Sequence, residues 1–272
     1  MTAQLVFTLD APVASWTDHP GGSSTDAVRA SARDPGKSHL AGLLGAALGT
    51  DRARLGDLAA SLRVACLCLR EPVPDLRPDY HTVARGRPLG GREAHSRFDQ
   101  IRWQLANRGP RSKGNIDATT LSTREHVTGG LWLALLAPGP GEAPIDLAAT
   151  AAALARPRHL PFAGRKALTL GAPPDPEVVE AEGPLDAIRR YVGRRPGLVR
   201  PWRPRRRQGD GPLRVRLACE EDYPGAPEGN VRRVRRSDVP RPRPGVGGLM
   251  RLYAAREEAQ TWHPWPLDGD DA

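Results

Sequence analysis

The chain has 272 residues, with 40 Lys and Arg against 31 Asp and Glu, a formal charge of +9 and a pI near 10.3. That length holds one large domain or a main domain with a smaller one, and the 39% of hydrophobic residues suffice for a core. With no run of 18 apolar residues and no charged-then-apolar leader, membrane-spanning and secreted readings are set aside and a cytoplasmic location is expected. Cys66, Cys68 and Cys219 neither pair off nor make a metal quartet, so they are read as structural thiols, and no metal or cofactor is expected. The positive charge is almost wholly arginine, the only lysines being Lys37, Lys113 and Lys166. Such a field favours polyanions, and guanidinium suits phosphates and base stacking. Nucleic acid therefore heads the partner list, ahead of an acidic protein.

In chain order, residues 4–10 alternate as a strand that Ala11-Pro12 is expected to end. Thr17 to Pro35 is a long polar connection carrying Arg29 and Arg33. It delivers the chain to Pro35-Gly36-Lys37-Ser38-His39 and a helix whose Leu40, Leu43, Leu44, Ala47 and Leu48 share one face. Gly49 is its stop, and the interior Gly42 and Gly45 suggest a sheet packed close to the backbone. Gly36-Lys37-Ser38 has the tail of a nucleotide-binding P-loop, but its leading glycine is replaced by Ser31 and the ATPase reading falls. The helix N-terminus with Lys37 and Ser38 still reads as a phosphate site.

Leu55 to Leu62 reads as a short helical turn and residues 63–70 as the next strand. From Ala84 to Thr120 the chain is rich in arginine and poor in core periodicity, an arm projecting from the sheet. Residues 130–136 form a buried strand, and Ile145 to Leu154 a second main helix with Asp146 near its start. A tight basic turn follows over residues 160–168, and one further strand would close a split β-α-β arrangement. Beyond Pro173 the texture is Pro, Gly and charge. Leu185 to Val192 reads as a helix, Leu213 to Cys219 and Leu249 to Tyr253 as short strands, and residues 203–207 and 232–236 as basic clusters. The expected fold is therefore α+β: a ferredoxin-like (RRM-type) domain over 1–174 with a long basic thumb, about 79–121, between strands two and three. A small loop-rich C-terminal region over 175–272 carries short strands and an acidic tail.

Five marks stand in order: Ala11-Pro12-Val13-Ala14-Ser15-Trp16, Pro35-Gly36-Lys37-Ser38, Asp79-Tyr80-His81-Thr82-Val83, Arg124-Glu125-His126, and Pro157-Arg158-His159-Leu160-Pro161-Phe162-Ala163-Gly164-Arg165-Lys166. Together they resemble the CasD-type subunits of type I-E CRISPR Cascade, in the RAMP superfamily, over about residues 4–172 and more loosely 239–253. The resemblance implies a non-catalytic RNA-binding subunit that holds the 5′ handle of the CRISPR RNA. It also implies contact with the backbone subunit and the PAM-recognising large subunit, with target DNA met through the assembled complex. A related subtype cleaves repeat RNA, so a metal-independent endoribonuclease drawing on His81, Tyr80 and Lys113 or Lys37 is the alternative. Thr17 and His39 stand where the family commonly has glycine, and His39 is expected to crowd the proposed phosphate.

Single-stranded RNA is held by phosphate-gripping cations and stacking planes. Lys37, Ser38, Arg165 and Lys166 form the expected phosphate set, with Arg29 and Arg33 added from the first loop. Tyr80 and His81 are candidates to meet bases, Arg108, Arg111 and Lys113 to meet RNA from the thumb, and Arg124 to meet RNA or pair with Glu125. Trp16 reads as core. A general RRM protein is disfavoured by aliphatic central strands, and a DNA-binding regulator by the apolar, glycine-rich opening helix.

Overall fold

The computed structural model describes residues 1–17, 28–84, 119–140, 144–196, 213–228, 231–242 and 251–265. In chain order these are β1 (Thr2–Ala14), β2 (Trp16–Thr17), β3 (Val28–Arg29), β4 (Ser31–Ala32), α1 (Lys37–Leu48), α2 (Leu55–Ala60), β5 (Leu62–Arg70), β6 (Val73–Pro74), β7 (Asp79–Ala84) and β8 (Thr119–Arg124). There follow β9 (Val127–Pro138), α3 (Leu147–Ala155), β10 (Glu177–Ala181), α4 (Pro184–Gly193), β11 (Leu213–Glu220), β12 (Arg232–Pro242) and β13 (Arg251–Trp265). The protein is α+β and dominated by its sheet.

The main sheet has the order β10-β1-β9-β5-β11-β13-β12, with every neighbouring pair antiparallel and β6 added against β9. Two crossovers interleave in it. The chain passes from β1 through α1 to β5 with β9 between them, and from β9 through α3 to β10 with β1 between them. Alternation along the strands divides their side chains between two cores. Leu5, Phe7, Leu9, Cys66, Cys68 and Trp132 pack with Leu40, Leu43, Leu44 and Leu154 from α1 and α3. Val6, Leu67, Leu133 and Leu135 pack on the other side with Ile188 and Tyr191 from α4. The three cysteines are free and buried, as structural thiols should be.

Several local expectations need correction. Strand β1 does not stop at Pro12 but runs to Ala14. By then β10 has parted from it, at Val6, so no ladder partner calls for the N–H that proline lacks. Gly45 packs on Leu55 at the start of α2 rather than on the sheet; a Cβ there would lie 2.3 Å from Leu55 Cδ2, while at Gly42 nothing lies within 4 Å. The basic cluster at 232–236, expected within a loop-rich region, is the start of the edge strand β12, and the short strand expected near 249–253 is a 15-residue strand, Arg251–Trp265. Nor does the sheet end near residue 174, since β10 completes one edge and β11, β13 and β12 extend the other.

Strands β7 and β8 form an antiparallel ribbon from Asp79↔Arg124 to Ala84↔Thr119, with β3 added parallel to β8. This ribbon is the described part of the stretch expected to form a thumb; residues 85–118 of that stretch lie outside the described residues, as do Arg203 to Arg207 and the acidic tail.

Candidate nucleic-acid interface

The opening helix does not present the expected phosphate site. Its N-terminal anion comes from within the chain: the Lys37 N–H donates to Asp238 Oδ2 at 2.7 Å. A Cβ on Gly36 would lie 2.3 Å from that oxygen, so the residue must be glycine for the carboxylate to seat. Lys37 itself is 3% exposed. Its ammonium donates to Glu220 at 2.8 and 3.1 Å and to the Leu62 carbonyl at 2.9 Å. Burial pulls its pKa down against the opposing pull of Glu220. A lysine spent in this way offers nothing to an RNA backbone, and Ser38 beside it flanks an anion site already filled.

His39 does not crowd a ligand either. Its Nδ1 accepts the Gly36 N–H at 3.1 Å, the part usually taken by Glu or Gln in a capping box, and its ring stands edge-on to Trp16 at 5.5 Å. Thr17 is an ordinary strand residue opposite Ser31. Trp16 is core, T-shaped against Trp132.

The site around Asp238 is a buried ionic network. Arg256 donates to Asp238 at 2.7 and 2.9 Å and to Glu258 at 2.8 Å. Asp34 accepts from Trp132 Nε1 at 3.1 Å and from Arg216 at 2.9 Å, and its carbonyl accepts from Arg236 at 3.3 Å. Asp34, Glu220, Asp238 and Glu258 face Lys37, Arg216, Arg236 and Arg256, so the group is balanced. Burial pushes the Asp238 carboxyl up, but Arg256, Arg236 and the Lys37 N–H together hold it below its ordinary value. Asp34 stays raised by burial despite Arg216. Sequence reading missed Glu220, Asp238, Arg256 and Glu258; the only signal was a carboxylate closing the apolar run of β11 and acids set among the arginines of β12 and β13.

A second cluster is built around arginines. The parallel pairing of β3 with β8 sets Arg29 opposite Arg124, and the ribbon sets Asp79 opposite Arg124 from the other side. Glu125 ties the strands together, its N–H donating to the Arg29 carbonyl at 3.0 Å and its carboxylate accepting the Ser31 N–H at 3.4 Å. The basic turn brings the third arginine. Ser15 N–H donates to the Ala163 carbonyl at 3.1 Å, and a Cβ on Gly164, where φ is +86°, would fall 2.0 Å from Ser15 O. Only glycine lets the turn press so closely on the end of β1.

Arg165 then lies over the root of the ribbon, its Nη1 3.1 Å from His126 Nε2 and 3.8 Å from Asp79. Burial, the repulsion of Arg124 and that of Arg29, opposed by Asp79, pull Arg165 down to about 10. Burial, and then Arg165, pull the His126 pKa down, so its neutral Nε2 accepts from the guanidinium. Arg124 Nε and Arg165 Nη2 are buried with no hydrogen-bond partner among the described residues. Two guanidinium groups, Arg124 and Arg165, held together with donors to spare among the described residues, are suited to an incoming anion with several acceptor oxygens.

Tyr80 is 64% exposed on the ribbon, Lys166 next to Arg165 is exposed, and so is Arg33. His81 pairs with Ser122 through its backbone, and its side chain lies outside the described residues, as do Arg108, Arg111 and Lys113. The structure thus brings Arg29, Arg124 and Arg165 together at the root of the ribbon that carries Tyr80, and ties Lys37 into the Asp238 network instead. His126 and Asp79 were missed as members; His126 stood in the Arg124-Glu125-His126 mark, but its bond to Arg165 joins residues 39 positions apart. Among the described residues no three His, Cys, Asp or Glu side chains gather as a metal site, and no helix is long and apolar enough to cross a membrane.

Residues 4–243 match the family model described as CRISPR-associated protein (Cas_Cas5). The chain is 29% identical over 206 residues to CRISPR system Cascade subunit CasD of Escherichia coli (strain K12), covering 70% of this chain and 78% of that protein. In three dimensions it is similar to a chain of a CRISPR RNA-guided surveillance complex, with a TM-score of 0.59 and 20% identity over 95% of this chain and 89% of that one, a likeness of fold.

Proposed function

Since this chain belongs to the CRISPR-associated protein (Cas_Cas5) family, we propose that it is a structural, RNA-binding subunit of a type I-E Cascade surveillance complex. It holds the 5′ handle of the CRISPR RNA and joins the backbone and large subunits, in the cytoplasm. The observation that carries the reading is the meeting of Arg124 and Arg165 at the root of the ribbon, each with a buried guanidinium N–H that has no partner among the described residues. The Cascade subunit named among its relatives supports the assembly.

Phosphate oxygens accept from Arg124 and Arg165, a base stacks on Tyr80, and Lys166 and Arg33 add to the field from the rim. The interleaved crossovers and strand order support a ferredoxin-like unit, and the β7–β8 ribbon supports a thumb between its second and third strands. Arg124, Arg165 and Tyr80 all fall within residues 1–174, so that part of the chain carries this RNA site, while the ferredoxin-like unit itself runs on to β10. No catalytic step is assigned, because His126, the imidazole of the cluster, is engaged with Arg165 rather than offered as a base.

The test is co-expression with the other complex subunits and a CRISPR RNA. Arg124→Ala and Arg165→Ala should each lower RNA retention and reduce the salt slope of binding by about 0.7, the value for one single-strand phosphate contact. Lys37→Ala should leave that slope unchanged. Unaltered retention in the two arginine variants would overturn the assignment. Specific repeat cleavage in EDTA that is lost in His81→Ala would replace it with the endoribonuclease.

A further inference from the structure

Strand β13 outruns one of its neighbours. Its partner β12 begins with Arg232 opposite Gln260, whereas β11 accompanies it as far as Trp265. Among the described residues, Thr261 to Trp265 therefore have a ladder partner on one side only. Trp262 lies on this open length and is 40% exposed, while Trp16 and Trp132 are buried.

The register explains what surrounds it. Trp132, Cys68, Arg216 and Trp262 stand opposite one another in a row across four strands. Arg216 is spent on Asp34 and Glu71. Arg214, two residues earlier on the same face, is exposed and diagonal to Trp262, and its Nη2 donates to the Trp262 carbonyl at 3.3 Å. That bond holds a guanidinium beside the exposed indole.

On the opposite face His263 is held by Thr261 Oγ1 at 2.7 Å. The charged groups that act on it are Arg189 of α4 and Arg214, both cations. The end of β13 thus combines an exposed indole, positive charge on two sides and backbone with no ladder partner on one side among the described residues. The row puts it three strand spacings, about 14 Å, from Trp132, and none of its residues belongs to the arginine cluster.

We propose that the Trp262–Arg214 end of β13 is a second contact for single-stranded RNA, in which Trp262 stacks a base and Arg214 holds a neighbouring phosphate. The proposal rests on the RNA-binding reading given above and adds a contact on the C-terminal strands. An indole face accepts any base, and a guanidinium beside it neutralises the phosphate that follows. An extended peptide could add to the same open edge, but strand addition is carried by the backbone and does not call for an indole flanked by cations.

The experiment uses the full chain in the co-expressed complex, loaded with RNA carrying 4-thiouridine, with crosslinked peptides mapped by mass spectrometry after irradiation. A crosslink to the peptide containing Trp262 is expected, falling at least about fivefold in Trp262→Ala and largely recovered in Trp262→Phe, as for the loss and rescue of one stacked base. Arg214→Ala should lower the salt concentration at which the RNA is released. No crosslink to this peptide, or RNA release unchanged in both Trp262→Ala and Arg214→Ala, overturns the proposal. So does loss of a protein subunit from Trp262→Ala with RNA release unaltered, which would mark the edge as a protein-docking strand. Failure of the RNA reading itself would show separately, as unchanged retention in Arg124→Ala and Arg165→Ala.

Discussion

Asp238 occupies the place where an external phosphate was expected. It is 3% exposed, takes the helix N–H, and is clamped by Arg256. Removing one partner of a buried ion pair leaves the others uncompensated, so Asp238→Ala should cost about 3–5 kcal/mol, measured as a shift of the urea midpoint. The pH dependence has a definite sign. The folded-state pKa of Asp238 is depressed, so its contribution is present above the unfolded carboxyl value of about 3.9 and is lost as pH falls through the folded value. Asp34, raised by burial, works in the opposite sense. Asp238→Asn should therefore flatten the loss of stability on acidification; an unchanged acid limb would show that Asp238 does not contribute to it.

At the other cluster His126 is kept neutral by burial and by Arg165. A bound phosphate would favour its protonated form, so RNA binding should tighten as pH falls from about 7 to about 6. That dependence should vanish in His126→Gln when binding is followed by filter retention.

Two glycines of one helix separate local propensity from packing. A Cβ on Gly42 would have nothing within 4 Å of it, so Gly42→Ala should stabilise the protein by about 0.5–1 kcal/mol, the ordinary helix preference. At Gly45 the same methyl meets Leu55 Cδ2 at 2.3 Å, and Gly45→Ala should destabilise by about 1–3 kcal/mol through overpacking. Thermal melts of the two variants should move in opposite directions. The helix was legible in the sequence because Leu40, Leu43, Leu44, Ala47 and Leu48 repeat at its period, and Gly49 closes it at φ +70°. Strand β12 was not. Arg232, Arg233 and Arg235 are exposed, and only Arg236 turns inward to the Asp34 carbonyl, so the strand reads as a solvated basic run. Strand β13 was hidden for a related reason: Arg256 and Glu258 stand in its middle, and they are tolerated there because they neutralise one another.

Across the whole molecule, the C-terminal strands belong to the same sheet as the N-terminal ones and supply the charges that complete the start of α1. A chain ending at residue 228 would lose β12 and β13, and with them Arg236, Asp238, Arg256 and Glu258. It should fail to give a cooperative melt or a native near-UV spectrum, because Lys37, Glu220 and Asp34 would be left partly compensated in an opened core. A soluble, cooperatively melting product would show that the network is dispensable.

What the sequence by itself determined was a basic, arginine-borne field, the periodic strands and helices, the order of the family's marks, and a list of cations from which a site could be drawn. Those features depend on residues within a few positions of one another. Only the tertiary structure decided which cations are consumed inside and which remain for a ligand. Lys37 is neutralised by Glu220, 183 residues away, and its N–H by Asp238, 201 residues away, while Arg124 and Arg165 converge with buried guanidinium N–H groups that no described residue takes. Charge compensation is a matter of distance in space, and local pattern carries no record of it.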